Sequence, residues 1–249
     1  MAHHTKKTTS KDILLYGHHP VSLALQNKRR RILEIYCTKE AGSSLKIPSD
    51  IPVRYTDKPY LETLVGRDAV HQGVVARCLP IVQPDLSALL DQVARQETAV
   101  LMILDQVTDP HNIGAILRSS VAFDASAVIV PENGTPEENG TLAKSASGAL
   151  ELIPYLRVGN LARVLDKLKE QGIWCIGLDG YADQSIATTK LPKKCAFIMG
   201  SEGDGMRRLT QQNCDYCVKL PMNPAIESLN VSNAAALTLY EFRRQFPSR

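Results

Sequence analysis

Three stretches hold residues whose types could do chemistry: Asn112 and Arg118 in DPHNIGAILRSS, Glu202 and Asp204 in IMGSEGDGM, and Glu227, Ser228, Asn230, Ser232 and Asn233 in IESLNVSN. A guanidinium six residues after an amide, early in a helical pattern, can hold an anionic group, because helix N-termini and arginine both favour negative charge. Asn112 also reads as the cap of that helix, predicted over residues 115–123. In the second stretch Gly200, Gly203 and Gly205 free the backbone to approach a ligand closely. Their Gly-x-x-Gly-x-Gly spacing is neither a dinucleotide fingerprint nor a hydrolase elbow, and no phosphate-binding Gly-x-x-x-x-Gly-Lys-Ser/Thr occurs anywhere. The third stretch, residues 221–242, leads from a proline turn through Glu227, Ser228, Asn230, Ser232 and Asn233 into a small-residue helix predicted over 234–242. Polar groups at that density before an apolar helix suggest a site as well as a cap.

The elements that must position these loops are short apolar strands predicted at 100–104, 127–130, 153–157, 173–178, 196–199 and 216–220, with helices at 138–145 and 161–171 between them. Such alternation predicts an α/β fold with a mainly parallel sheet covered on both faces. Ligands in these sheets bind where loops leave the carboxyl ends of strands, and the three motifs follow Leu104, Met199 and Leu220. Ahead of this sheet, LLYGHHPVSLAL reads as strand, turn and helix. NKRRRILEIYCT then carries a basic run at 28–31 into a strand, a helix spans 58–65, and HQGVVARC holds a further strand. Prolines 80 and 84 mark a composition change. The expected organisation is a disordered tail at 1–11, a small α/β unit at 12–82, a linker with a connecting helix at 83–97 and a larger α/β domain at 98–249.

Composition bounds the rest. With 44% hydrophobic and 22% charged residues in 249, the chain has the make-up of a globular protein with a sizeable core. No apolar run approaches the roughly 18 residues of a membrane span. The start MAHHTKKTTSKD is polar and basic, so the expected location is cytoplasmic. His3 and His4 stand in this polar start. Six cysteines are scattered along the chain, and Cys214 and Cys217 have metal-ligand spacing without a second pair to complete a site, so reduced thiols and no metal are expected. Residues 1–85 hold 13 Lys/Arg against 8 Asp/Glu, a net +5, while the remainder is at −2. A basic first third beside a near-neutral body fits a nucleic-acid-handling appendage, and the run at 28–31 is either a solvated turn or a phosphate contact.

Taken in order, the three motifs NIGAILRS, IMGSEGDGM and KLPMNPAIESLNVSNAAALTLYEF resemble those of the SpoU (TrmH) family of S-adenosylmethionine-dependent RNA ribose 2′-O-methyltransferases, over about residues 98–246. LLYGHHPVSLAL resembles the start of that family's N-terminal substrate-binding domain, a ribosomal-protein-like α/β fold, which points to the subgroup acting on guanosine in 23S, large-subunit ribosomal RNA; transfer RNA stays open as a target. The resemblance implies a SPOUT-type trefoil knot, which general topology rules disfavour and periodicity cannot reveal. It implies S-adenosylmethionine held by backbone groups around Gly200, Leu220, Pro221, Met222 and Leu229. It places the catalytic arginine at Arg118, supported by Asn112, Glu202, Ser228 and Asn230, with Asn112 and Glu202 orienting Arg118. It also implies a homodimer through the knotted domain, with the predicted helix at 234–242 as a candidate contact. The stretch Asn223 to Glu227 departs from the short Gly- or Ser-rich segment common in the family, which bears on target choice. Two other readings predict different residues: a non-catalytic RNA-binding or ribosome-assembly protein would lack Arg118, Glu202 or Asn230, and a Rossmann-type enzyme would carry its glycine loop where DQVTDPHNIG stands.

Overall fold

The protein's structure, a computed structural model, describes residues 12–223 and 225–247; the predicted tail at 1–11, with His3 and His4, lies outside the described residues. Among the described residues two compact units form, one of residues 12–82 with 138–144 and the other of residues 83–137 with 145–223 and 225–247. Residues 138–144, predicted as part of the larger domain, cluster with the smaller unit.

The smaller unit contains β1 (Ile13–Tyr16), α1 (His18–Gln26), β2 (Ile32–Cys37), α2 (Lys39–Ser43), β3 (Val53–Tyr55), α3 (Lys58–Val65) and β4 (Val74–Cys78). Its sheet runs β1-β4-β2-β3, with β4 antiparallel to both neighbours and β3 parallel to β2. Local chemistry sets the helices: the Asp57 side chain accepts from the Tyr60 N–H to start α3, and Gly66 at φ 94° ends it. The basic run divides here. The Arg30 side chain is fully buried, pairs with Glu138 and donates from Nη1 to the Leu79 carbonyl at 2.8 Å, so Arg30 belongs to the core. Lys28, Arg29 and Arg31 are exposed.

The larger unit contains α4 (Leu86–Ala94), β5 (Ala99–Leu104), α5 (Pro110–Ala122), β6 (Ala127–Pro131), β7 (Tyr155–Val158), α7 (Leu161–Glu170), β8 (Trp174–Leu178), β9 (Gln184–Ser185), β10 (Lys194–Met199), α8 (Arg208–Gln212), β11 (Tyr216–Lys219) and α9 (Val231–Gln245), while the short helix α6 (Gly140–Ser145) lies in the smaller unit up to residue 144. Its seven strands are parallel, in the order β7-β6-β5-β10-β8-β11-β9. All of β5 is buried, as a central parallel strand covered on both faces must be. Leu101 and Ile103 pack with Leu161, Val164, Leu165 and Leu168 of α7, whose apolar side recurs at helical spacing. The alternate residues point to the other face, where α5 and α9 pack on each other.

The predicted start of α5 is corrected. The helix begins at Pro110, because the Asp109 side chain accepts from the His111 N–H at 2.9 Å and proline suits a first helical position. Asn112 therefore sits inside the first turn and its amide is free for other partners. Likewise α9 runs beyond 234–242 at both ends, from its cap at Asn230 to Gln245. No helix among the described residues is long and apolar enough to cross a membrane.

Candidate active site

The carboxyl edge of the parallel sheet is nearly level: Met199 pairs with Leu104, Ile198 with Gly177 and Val218 with Leu178. Beyond that edge lies a cavity of about 530 Å³, within the roughly 300–1,000 Å³ of small-molecule sites. Leu178, Met199, Leu220 and Leu229 provide apolar walls, while Asp179 and Gln211 add polar groups on one side. Of the residues expected to hold a cofactor, Gly200, Leu220, Met222 and Leu229 line the cavity; Pro221 is exposed and is not among the lining residues. Glu202 and Ser228 also line it, whereas Asn112, Arg118 and Asn230 do not.

The glycine-rich loop folds back on itself. Ser201 and Gly205 exchange backbone hydrogen bonds, each 3.1 Å, with Gly205 at φ 67°. Gly200 packs beneath this turn so closely that a Cβ would overlap the Gly205 carbonyl and the Met206 amide. Only glycine permits that approach.

Asn230 joins all three motifs. Its Nδ2 donates to Glu202 Oε1 at 2.6 Å and to Asn112 Oδ1 at 3.0 Å, while its own Oδ1 accepts the Ser232 N–H at 3.0 Å as the cap of α9. The Val231 N–H also donates to Glu202 Oε1 at 3.0 Å, which places a carboxylate at the positive end of α9. Capping and site-building thus fall on one side chain. Ser232 follows the cap and does not form it.

Arg118 stands apart from this network. Its side chain is exposed and, among the described residues, makes no hydrogen bond or ion pair. Six residues turn an α-helix through about 600°, which sets Arg118 about 120° round α5 from Asn112. Asn112 and Glu202 direct their bonded atoms to Asn230 and not to Arg118. Ser228 is exposed and has no hydrogen bond among the described residues.

Sequence reasoning passed over Asp105 and Gln106, which follow β5, and Arg207, which follows the glycine-rich loop. Asp105 is fully buried and accepts from the Arg207 backbone N–H at 2.9 Å and from Nε at 2.8 Å. The signal was a lone acid closing a wholly apolar strand. Cys214 and Cys217 meet beside Gly177 of β8, where a Cβ would lie 3.2 Å and 2.8 Å from their sulfurs. Burial pushes the Cys214 thiol up to about 12 and raises that of Cys217 as well, so both stay protonated near neutral pH. Among the described residues no group of three or more His, Cys, Asp or Glu is arranged to hold a metal ion.

Comparison with known proteins matches this geometry to a family. The SpoU rRNA Methylase family model matches residues 99–240, and that for RNA 2′-O ribose methyltransferase substrate binding matches residues 14–82. The chain is 39% identical over 239 residues to the 23S rRNA (guanosine-2′-O-)-methyltransferase RlmB of Salmonella typhimurium, covering 93% of this chain and 98% of the relative. Against RlmB of Vibrio parahaemolyticus the identity is 41% over 239 residues, covering 93% and 96%. Among solved structures, the SpoU methyltransferase AviRb of Streptomyces viridochromogenes, in complex with the cofactor AdoMet, superimposes with a TM-score of 0.82 at 25% identity, covering 100% of this chain and 96% of AviRb. The larger unit accordingly has the trefoil-knotted fold of these enzymes, and the chain belongs to the SpoU rRNA Methylase family.

Proposed function

We propose that this chain transfers a methyl group from S-adenosylmethionine to the ribose 2′-hydroxyl of a guanosine in 23S ribosomal RNA. The observation that carries this reading is the full-length match to the RlmB relatives. It is supported by the meeting of all three motifs at one cavity edge. The cavity suits the cofactor: its leucine and methionine walls accept a flat adenine, and the tight backbone turn over Gly200 offers amides and carbonyls to the ring edge. Gly200, Leu220, Pro221, Met222 and Leu229 would hold it, Pro221 through its carbonyl alone. When bound, S-adenosylmethionine supplies an electrophilic methyl whose leaving group departs as a neutral thioether.

The chain's own residues then have distinct tasks. Arg118, exposed and without an intramolecular partner among the described residues, is available to a phosphate of the RNA beside the target ribose. A guanidinium with a pKa above about 12 keeps its proton, so Arg118 orients the backbone and stabilises the negative charge that develops as the hydroxyl oxygen takes the methyl group and its proton passes to solvent water. Asn112, Glu202 and Asn230 hold the first turn of α5, the glycine-rich loop and the start of α9 in register. Ser228, on the cavity wall, offers its hydroxyl to the incoming ribose.

Two partner interactions accompany this reading. The exposed residues of α9, Asn233, Leu237, Tyr240 and Arg244, share one helical face, with Leu237 47% and Tyr240 54% exposed; that face supports pairing of two knotted domains. Lys28, Arg29 and Arg31 supply charge for RNA capture by the smaller unit. The work is done where ribosomes are assembled, in the cytoplasm.

Mapping ribose methylation in cells lacking this protein tests the target. One 23S guanosine is expected to lose its 2′-O-methyl group while transfer RNA is unchanged. Loss confined to transfer RNA would move the substrate, and no loss in either would remove the activity.

A further inference from the structure

The strand β5 is apolar through Leu104 and then ends on Asp105, whose side chain is fully buried. A carboxylate removed from water needs partners for both oxygens, because an unpaired buried charge is costly. Arg207, 102 residues later, provides them: its backbone N–H donates to Oδ2 at 2.9 Å, while Nε and Nη2 reach Oδ1 at 2.8 and 2.6 Å. The Asp105 N–H in turn donates to the Met199 carbonyl at 2.7 Å. Gln106, held at φ 65° where a non-glycine residue is strained, sends Nε2 to the Gly205 carbonyl at 3.3 Å. The end of β5 therefore grips the glycine-rich loop at its entry, at its turn and at its exit.

We propose that Asp105 and Arg207 are positioning residues for the cofactor: they set the height of residues 200–206 over the cavity and so place the backbone groups that hold S-adenosylmethionine. They act through the loop, since neither is among the residues lining the cavity. The inference rests on the reading of this cavity as the S-adenosylmethionine site. Arg207 is the more informative handle, because its side chain is half exposed and its truncation still leaves Asp105 the backbone N–H bond to Oδ2.

The test uses the full chain and S-adenosylhomocysteine as the probe, with binding followed by calorimetry and the loop by amide hydrogen exchange. Arg207→Ala is expected to weaken probe binding about tenfold and to speed exchange over residues 200–206, leaving RNA affinity within about twofold. Arg207→Lys should recover part of the loss, since an ammonium replaces one arm of the fork. Adding Asp105→Asn to Arg207→Ala should cost little more, because the two act as a unit. Probe affinity within twofold of wild type in a folded Arg207→Ala protein, with unaltered loop exchange, would overturn the inference. If Asp105→Asn fails to fold, the Arg207 series decides alone. A wild-type protein that binds no S-adenosylhomocysteine would instead overturn the underlying functional reading, and loop exchange would still show whether the pair holds the loop.

Discussion

Arg118→Ala is expected to lower methyl transfer roughly 10²- to 10³-fold, the size seen when one charge-stabilising donor is removed from an active site. S-adenosylmethionine affinity should stay within about twofold, because Arg118 does not line the cavity. Folding should be spared too: the Arg118 side chain is exposed and makes no hydrogen bond or ion pair among the described residues, and such surface changes fall within about 0.5 kcal/mol. Arg118→Lys should lie between the two, retaining charge but losing the planar fork that grips a phosphate. Single-turnover rates at saturating cofactor separate these effects. A rate near wild type for Arg118→Ala would remove this residue from the chemistry.

Gly200→Ala should act on the other half of the reaction. The added Cβ would overlap backbone atoms of Gly205 and Met206, which cannot swing aside as a flexible side chain can. The turn over the cavity must then shift, and displacements of about 1 Å at a site can cost 10²-fold. Cofactor binding is expected to weaken by roughly that factor, with a stability loss of about 1–3 kcal/mol from overpacking. Gly203→Ala is the control: nothing lies within 4 Å of its hypothetical Cβ, so it should bind cofactor almost normally. Calorimetric titration of the two variants checks the contrast; equal affinities would mean that the close approach at Gly200 has no bearing on the cofactor.

The larger unit was legible in the sequence where local pattern dictates structure. β5, β6 and β10 are apolar runs between turn signals, and periodicity placed them to within two residues at their ends. The two-residue β9 and the short α8, α2 and β3 escaped, since a few residues carry no period. The start of α5 was misplaced because Asn112 was read as its cap, whereas Asp109 three residues earlier caps it and Pro110 suits the first helical position. The order of the three motifs signalled a shared site at the sheet edge, and the cavity walls do come from Gly200, Leu220 and Leu229. What that order could not convey was pairing across distance. The bonds from Asn230 to Asn112 span 118 residues and those from Arg207 to Asp105 span 102, and neither leaves a local trace. Arg30 shows the same limit from the other side, as a cation inside a basic run that is buried by a partner far along the chain. The knot lies beyond periodicity altogether and entered through family resemblance.

The central claim is methyl transfer to a ribose oxygen. It is tested most directly by incubating the purified protein with 23S RNA lacking the modification and S-adenosylmethionine carrying a deuterated methyl group, then digesting the RNA to nucleosides for mass spectrometry. The predicted result is one labelled 2′-O-methylguanosine per 23S molecule, formed roughly 10²- to 10³-fold more slowly by the Arg118→Ala protein. Label on a base, or no label in the RNA, would contradict the account.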